Sequence, residues 1–214
     1  MLNIKETENQ KIYFVSDLHW NHARDFVYKA RGFNSVKEHN DAIINSINTT
    51  VRDTDIIFNL GDLILNSTIE QFEELIASIK CQNMYLLFGN HPNKHLKEIY
   101  LPCIKSYLGN LYKDGDEYYP IRYKNIIYLG HYAEVILGGH FCVLCHYPLI
   151  SWNNMKQGAF MLHGHEHSGV PDHLPEGTNG KILDLSWDYF KRPVSLSEVK
   201  QIMQTKNIVS VGHH

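Results

Sequence analysis

Residues 11–20, KIYFVSDLHW, contain the clearest indication of the fold. Its apolar, strand-forming residues stop abruptly at Asp17, Leu18 and His19. Side chains two apart on an extended backbone point to the same side, so we expect Asp17 and His19 to converge at the carboxyl end of a strand while Leu18 turns into the core. A D-x-H triplet also arises by chance in a chain with this composition, so its meaning depends on the rest of the sequence.

Four other apolar runs end in the same way. They are residues 55–62 (DIIFNLGD), 84–91 (MYLLFGNH), 141–146 (FCVLCH) and 160–167 (FMLHGHEH). Each is a short, mostly apolar run followed by Asp, Asn or His, the pattern of a buried strand whose carboxyl end lies at one edge of a sheet. Ligands of open α/β sheets bind at that edge. The sequence therefore predicts an α/β fold with a polar site there.

Three longer helices are predicted at residues 35–51, 68–80 and 195–206 from their apolar spacing. Ser35 is a typical N-cap, and Thr68 and Ser195 each begin a capping box. A shorter helix is expected at 93–100, and residues 20–33 are interpreted as a loop or broken helix beside the site. The strand–helix–strand order around residues 55–88 predicts a parallel pairing.

From Tyr118 onward the pattern changes to short strands separated by tight turns. The predicted strands are residues 126–129, 134–137, 141–145, 160–163 and 182–185, with a Pro- and Gly-rich loop at 168–180. Gly138 and Gly139 are a strong hairpin signal, so we expect a second, more antiparallel sheet. With no linker or repeat, residues 1–214 are predicted to form a single domain, a two-sheet α/β sandwich of mixed sheets flanked by helices.

Composition excludes several other classes of protein. The 214 residues are 43% hydrophobic and 12% aromatic, enough for a sizeable core. No apolar run is long enough to span a bilayer and the first ten residues are polar, so we expect a cytoplasmic protein without a membrane partner. The cysteines are scattered, and Cys142 and Cys145 should face opposite sides of a strand, which favours structural roles.

Charge and histidine content point to a metal rather than to nucleic acid. The net charge of −3 gives no electrostatic footprint for a phosphate backbone, so a nucleic acid substrate stays an alternative that the charge does not indicate. Fourteen histidines are well above ordinary usage, and histidine is the commonest metal ligand. His213 and His214, which resemble the remnant of an expression tag, are set aside.

The strand ends together supply a set of candidate ligands for metal. In chain order they are Asp17, His19, Asp62, Asn90, His91, His146, His165 and His167. This mixture of oxygen and nitrogen donors suits Mn, Fe, Zn or Ni. Seven candidate ligands among these residues exceed what one ion needs, whereas two ions about 3.5 to 4 Å apart with a carboxylate between them would use all seven. We assign Asp62 to the bridging position.

Five of these motifs together resemble the calcineurin-like metallophosphoesterases. They are D-L-H at 17–19, G-D at 61–62, G-N-H at 89–91, the histidine of Cys-His-Tyr-Pro at 145–148, and G-H-E-H at 164–167. They follow the family's order and cover residues 12–167. The resemblance implies a metallo-dependent phosphatase-like fold, and the chain looks like a small, cap-less bacterial or phage-borne member.

The resemblance also implies roles for individual residues. One metal would be held by Asp17, His19, Asp62 and His167, and the other by Asp62, Asn90, His146 and His165. Both would be divalent transition metals, with Mn preferred over Fe, Zn or Ni. A metal-bridging hydroxide would attack the phosphorus in line. His91 would contact the phosphate and help to protonate the leaving oxygen.

The sequence departs from the family pattern in two places. Pro92 follows G-N-H where the family commonly has an Asp, so the group that orients His91 is not evident. The Arg that usually follows the G-D motif is absent, and candidates for the missing positive charge on the substrate side are His22, Arg24 and Arg31. His163 shares strand phase with a candidate ligand, and we interpret it as a core or supporting residue.

The function expected from these residues is metal-dependent hydrolysis of a phosphate ester. A phosphodiester or small nucleotide is favoured as substrate because His91 is retained and no large cap encloses a monoester. A phosphomonoesterase and a nucleotide pyrophosphatase remain alternatives. In another class, the chain would be a non-catalytic protein-binding scaffold, but degenerate ligands would mark that case. A structural metal site would use four ligands and favour Cys. Natural substrate, metal identity and oligomeric state are not given by the sequence.

Overall fold

The computed structural model describes residues 1–65, 67–91, 121–167 and 180–208. The helix predicted at 93–100 and most of the loop predicted at 168–180 lie outside the described residues. In the described parts, the strands are β1 (Leu2–Ile4), β2 (Ile12–Val15), β3 (Ile56–Asn59), β4 (Asn83–Leu87), β5 (Ile121–Tyr123), β6 (Ile126–Gly130), β7 (Tyr132–Leu137), β8 (His140–Cys145), β9 (Phe160–His163), β10 (Ile182–Asp184) and β11 (Val194–Ser195). The α-helices are α1 (Asp25–Tyr28), α2 (Val36–Thr50), α3 (Ile69–Ser78), α4 (Trp187–Phe190) and α5 (Leu196–Gln204), with a 3₁₀ turn at Met155–Gln157.

The strands form two mixed sheets, as predicted. Sheet 1 has the order β11-β2-β3-β4-β6-β5, and sheet 2 has the order β1-β7-β8-β9-β10. In sheet 1 the four central strands are parallel, while β11 and β5 pair antiparallel at the edges. The parallel pairing of β3 and β4 across α3 confirms the crossover expected from the sequence.

Two details of the sheet prediction were wrong. The strand at 126–129 was expected in the second sheet, but β6 pairs with β4 in sheet 1. Sheet 2 is also less antiparallel than expected, because among its described strands only the β7–β8 hairpin around Gly138 and Gly139 is antiparallel. The connections before β9 and β10 exceed a dozen residues, long enough for the chain to cross back and pair in parallel.

The two sheets pack face to face around one apolar cluster. Phe14 and Phe58 of sheet 1 are fully buried against Leu144 and Leu162 of sheet 2. A second cluster fills the space between the other face of sheet 1 and helices α2 and α3, where Phe72 is fully buried. The carboxyl ends of strands from both sheets therefore lie at a common edge of the two sheets, and the candidate ligands lie at that edge.

Capping residues set the beginning of the main helices as predicted. The Ser35 side chain accepts a hydrogen bond from the backbone of Glu38 at the start of α2. Thr68 and Ser195 form complete capping boxes at the starts of α3 and α5. The region 20–33, expected to be a loop or broken helix, contains the single turn α1. None of the helices described is both long and apolar enough to cross a membrane.

Candidate metal centre

The candidate ligands lie in turns just past the strands, and many have an unusual backbone conformation. Asp17, His19, Asp62, His165 and His167 have φ values of 56°, 48°, 51°, 74° and 58°. This left-handed region is uncommon for residues other than glycine, although Asn, Asp and His tolerate it best. Such conformations persist where the surrounding structure enforces them, commonly at functional sites.

The convergence of the D-L-H motif therefore has a different cause from the one expected. Strand alternation was the predicted reason, but β2 already ends at Val15. Two left-handed residues, Asp17 and His19, turn the chain instead. Leu18 is fully buried in the core as predicted.

Two glycines of the motifs are required by close contacts. A Cβ atom on Gly89 would lie 2.1 Å from Oδ1 of Asp62, and one on Gly164 would lie 2.2 Å from Oδ2 of Asp17. Such distances are impossible for a side-chain carbon, so only glycine lets the backbone approach these carboxylates. The G in G-N-H and in G-H-E-H thus has a steric reason.

Backbone hydrogen bonds hold the turns together. The Asp17 N–H donates to the Gly61 carbonyl at 3.1 Å, and the His19 N–H donates to the Asp62 carbonyl at 3.0 Å. The carboxylates also accept from backbone groups of other turns, since His165 N–H donates to Asp17 Oδ2 and His91 N–H donates to Asp62 Oδ1, both at 2.9 Å. These bonds orient both carboxylates before any ligand binds.

We call the first group of converging side chains site A, formed by Asp17, His19 and His167. The Nε2 atoms of His19 and His167 are 3.3 Å apart, and Asp17 Oδ1 lies 3.4 Å from His167 Nε2 and 3.9 Å from His19 Nε2. One nitrogen or oxygen from each residue lies within 4.8 Å of the others. Three donors aimed at a common point are the arrangement that a transition metal needs.

The second group, site B, is formed by Asn90, His146 and His165. Asn90 Oδ1 lies 2.7 Å from His146 Nε2 and 3.0 Å from His165 Nδ1. Asp62 Oδ2 is 3.5 Å from His146 Nε2, and Asp17, Asp62 and His146 offer atoms that all lie within 4.8 Å of one another. Sites A and B are therefore parts of one continuous cluster.

Several atoms of this cluster suit a cation. Asp17 is fully buried, and its Oδ1 has no hydrogen-bond partner of good geometry among the described residues. A buried carboxylate oxygen without a partner is costly, so the site favours a bound positive charge. The His146 Nδ1–H donates to the Leu60 carbonyl at 3.0 Å, which leaves Nε2 free to act as a ligand. The residues present thus fit a metal.

The pKa values of the cluster also indicate that its carboxylates favour a positive charge beside them. Burial alone would raise the pKa of Asp17, but interaction with His167 and His146 lowers it to about 2. Burial likewise opposes the charged form of His167, yet Asp17 and Asp188 raise its pKa to about 10. Burial lowers the pKa of His19 to about 4 despite the nearby carboxylates. In the metal-free protein at neutral pH, a proton on His167 therefore partly balances the carboxylates.

A pocket of about 620 Å³ opens beside site A. His19, His91 and His167 line it, and the ring centroid of His91 lies 5.9 Å from that of His19. Two of the candidate substrate residues, His22 and Arg24, also line this pocket. The pocket therefore brings these candidate substrate residues next to the candidate metal ligands.

Arg31, the third candidate substrate residue, also borders the pocket, but its side chain is only 2% exposed. It forms an ion pair with Asp188 at 2.6 Å, and Asp188 in turn accepts a hydrogen bond from Nδ1 of His167 at 2.6 Å. No role was predicted for Asp188 from the sequence, although it follows the apolar run at 182–185 as the other candidates follow theirs.

His163 lies apart from the candidate ligands. It is fully buried, and its Nδ1 donates to the Gly164 carbonyl at 2.8 Å. It is absent from the clusters of potential metal ligands found among the described residues. Its role as a core or supporting residue is consistent with this position. Pro92, the departure after G-N-H, lies outside the described residues.

Comparison with known proteins identifies the family. The family model for calcineurin-like phosphoesterases matches residues 10–192, which is most of the chain. The chain therefore belongs to the calcineurin-like phosphoesterase family. Its two mixed α/β sheets flanked by helices agree with that fold.

The relatives found are themselves uncharacterised or described only by a gene number. An uncharacterised protein of Methanocaldococcus jannaschii, MJ1445, is 28% identical over 203 residues, covering 94% of this chain and 95% of the relative. The gene 66 protein of Mycobacterium phage D29 is 23% identical over 208 residues, covering 90% and 95%. A crystal structure of AQ665 from Aquifex aeolicus, a protein of unknown function, has a TM-score of 0.60 at 18% identity, covering 91% of this chain and all of that one. This last likeness concerns the fold alone.

Proposed function

We propose that the protein is a dinuclear-metal phosphoesterase that hydrolyses a phosphodiester or a small nucleotide. The observation that carries the proposal is the convergence of sites A and B around the buried carboxylates of Asp17 and Asp62. The family supports a metallophosphoesterase in general. The number of ions and the substrate class are our inference from the ligand set and the pocket.

The ligands divide between two ions in this proposal. Asp17, His19 and His167 hold one ion, Asn90, His146 and His165 hold the other, and Asp62 is shared. The nitrogen and oxygen donors suit Mn, with Fe, Zn or Ni as other candidates. When bound, such a pair supplies water of lowered pKa and positive charge for the phosphate oxygens.

The protein's own groups orient the ligands and the substrate. The backbone N–H groups of His91 and His165 fix one oxygen of each carboxylate, so the other oxygen is free for a cation. His91 is exposed and lines the pocket, and in this proposal its imidazole donates a proton to the leaving oxygen. No covalent intermediate on the protein is required by this arrangement.

The pocket favours a substrate that carries both charge and an apolar group. Arg24 and His22 supply positive or hydrogen-bonding groups, while Phe26, Val27 and Leu65 supply an apolar wall. Phe26 is 67% exposed and lines the pocket, so its ring is available to a ligand bound there. A nucleotide has this combination, since its base stacks on aromatic rings and its phosphate binds cations.

A substrate panel tests this proposal. Cyclic nucleotides, dinucleotides, nucleoside monophosphates and single-stranded DNA would be assayed with Mn, with bis-p-nitrophenyl phosphate as the generic diester. The proposal predicts the highest kcat/KM for a small diester or nucleotide, and at least a tenfold loss of kcat/KM for Phe26→Ala with nucleotides. Preference for a plain monoester would support the phosphomonoesterase alternative. Release of pyrophosphate together with a nucleoside monophosphate from a nucleoside triphosphate, added to the panel for this purpose, would support the pyrophosphatase.

A further inference from the structure

Arg31 uses every hydrogen-bond donor of its guanidinium group within the protein. Its Nε–H donates to Oδ1 of Asp188 at 2.9 Å, and one hydrogen of Nη2 donates to Oδ2 of Asp188 at 2.6 Å. The remaining hydrogens reach the carbonyls of Asp17 and Leu18, at 2.7 and 2.8 Å, and Nε2 of His39, at 2.8 Å. A guanidinium has five N–H donors, so none remains for a substrate phosphate.

These bonds join the D-L-H turn to helix α4. The two carbonyls belong to the left-handed turn that presents Asp17 and His19 to site A. Asp188 belongs to α4, more than 150 positions away in sequence. His39 accepts the last hydrogen as a neutral ring, which agrees with a pKa that burial and the Arg31 charge lower to about 4. One side chain thus fixes three separate segments relative to each other.

Asp188, which Arg31 holds in place, also forms a hydrogen bond with His167. Its Oδ2 accepts from both Arg31 and Nδ1 of His167, each at 2.6 Å. A histidine whose Nδ1–H is held by a carboxylate presents Nε2 as the ligand and cannot rotate freely. His167 needs such a partner because its side chain is 39% exposed and lies at the end of a turn.

We propose that Asp188 and Arg31 are positioning residues that set the orientation of His167 and the D-L-H turn, and thereby the affinity of site A for its metal. This assigns Arg31 to the metal site instead of to the substrate. The inference rests on the proposed dinuclear site. It predicts that loss of Asp188 weakens one of two bound ions and leaves the other nearly unchanged.

Metal titration of purified variants tests the inference. Mn binding would be measured by calorimetry and by the paramagnetic resonance signal of coupled Mn pairs. For Asp188→Asn we expect the affinity of one ion to fall by about 10- to 100-fold, the range found when such outer partners of metal ligands are removed. The signal of coupled pairs should disappear at stoichiometric Mn and return at high Mn. Arg31→Lys should act in the same direction, because an ammonium cannot replace the five directed donors.

A matched pair elsewhere in the chain provides the control. Arg52 binds both oxygens of Asp55 just before the amino end of β3, the opposite end of that strand from the turn of Asp62, so Arg52→Lys breaks an equivalent pair without touching His167. This variant should bind two Mn ions like the wild type. Thermal unfolding of each metal-free variant separates loss of folding from loss of ligand orientation. If Asp188→Asn does not fold, Arg31→Lys carries the same comparison.

The outcomes separate the inference from the function on which it rests. Wild-type protein with two ions and an Asp188→Asn variant with unchanged affinities would overturn the positioning role alone. Equal weakening of both ions, in step with a lower unfolding temperature, would also overturn it in favour of a purely structural role. Failure of the wild type to bind two Mn ions would overturn the proposed function and the inference together.

Discussion

Sites A and B contain similar donors but are held in different ways. In site B, the backbone carbonyl of Leu60 accepts a hydrogen bond from His146 and so orients its ring. The Nε2 atom of His146 lies beside Oδ1 of Asn90. In site A, His167 is oriented by the Asp188 carboxylate, which is itself fixed by Arg31. Backbone support persists through most substitutions, whereas side-chain support can be removed by a single one. Site A should therefore be the half whose metal affinity is more easily altered.

The two sites also differ in their surroundings. The pocket that contains His22, Arg24 and His91 borders site A. The ring of Tyr147 instead lies edge-on against those of His146 and His165 at site B, with centroid distances of 5.2 and 4.8 Å. We therefore expect substrate groups beyond the phosphate to extend over site A. Experiments that affect one site, or the residue shared by both, will show how far this division holds.

The largest effect is expected where the two sites meet. Asp62→Asn removes the charge that both ions are proposed to share, so hydrolysis of bis-p-nitrophenyl phosphate should fall by at least about 1,000-fold, or about 4 kcal/mol of barrier. Asp41→Asn is the matched control, because Asp41 forms an exposed ion pair with Lys37 on helix α2. Undiminished turnover in Asp62→Asn would refute its bridging role.

A smaller, substrate-dependent effect is expected at His91, on the site A side. If His91 protonates the leaving oxygen, His91→Ala should lower kcat by about 100-fold or more for alkyl leaving groups and far less for p-nitrophenolate. His140→Ala is a suitable control, since His140 is exposed and begins β8, at the opposite end of that strand from His146. Equal losses for good and poor leaving groups would instead favour a role in binding the phosphate.

The smallest effect expected is a pH dependence specific to site A. The pKa of His167 is raised to about 10 in the metal-free protein, so a metal must displace its proton at any lower pH. The affinity of the site A ion should therefore fall by about tenfold per pH unit as pH decreases from 9 to 7, if one proton is released. Calorimetry in buffers of different ionisation enthalpy counts the protons, and uptake of this ion without proton release would contradict the assignment.

Much of this architecture could be predicted from local patterns. Apolar runs ending in polar residues identified the strands β2, β3, β4, β8 and β9, and capping residues identified the starts of α2, α3 and α5. The membership of β6 could not be predicted in this way, because sheet assignment depends on long-range pairing rather than on local composition. The hairpin signal at Gly138 was correct, since a short connection leaves the chain little choice.

The candidate site shows the same limit. The sequence motifs predicted the residues that the structure brings together in sites A and B. They did not predict the contacts that hold these side chains in place. The left-handed turns at Asp17 and His19 are enforced by contacts with other turns, and the Arg31–Asp188 pair joins residues that are far apart in sequence. Arg31 was predicted to bind substrate because the sequence shows its positive charge. The sequence does not show the five hydrogen-bond acceptors within the protein that contact its guanidinium group.

A crystal structure of the Mn-loaded protein with anomalous scattering would show whether sites A and B together hold two metal ions. We expect two anomalous peaks about 3.5 to 4 Å apart, one beside His19 and His167 and one beside Asn90 and His146, with Asp62 contacting both. A single peak, or none, in protein saturated with Mn would show that the two sites do not hold a pair of ions.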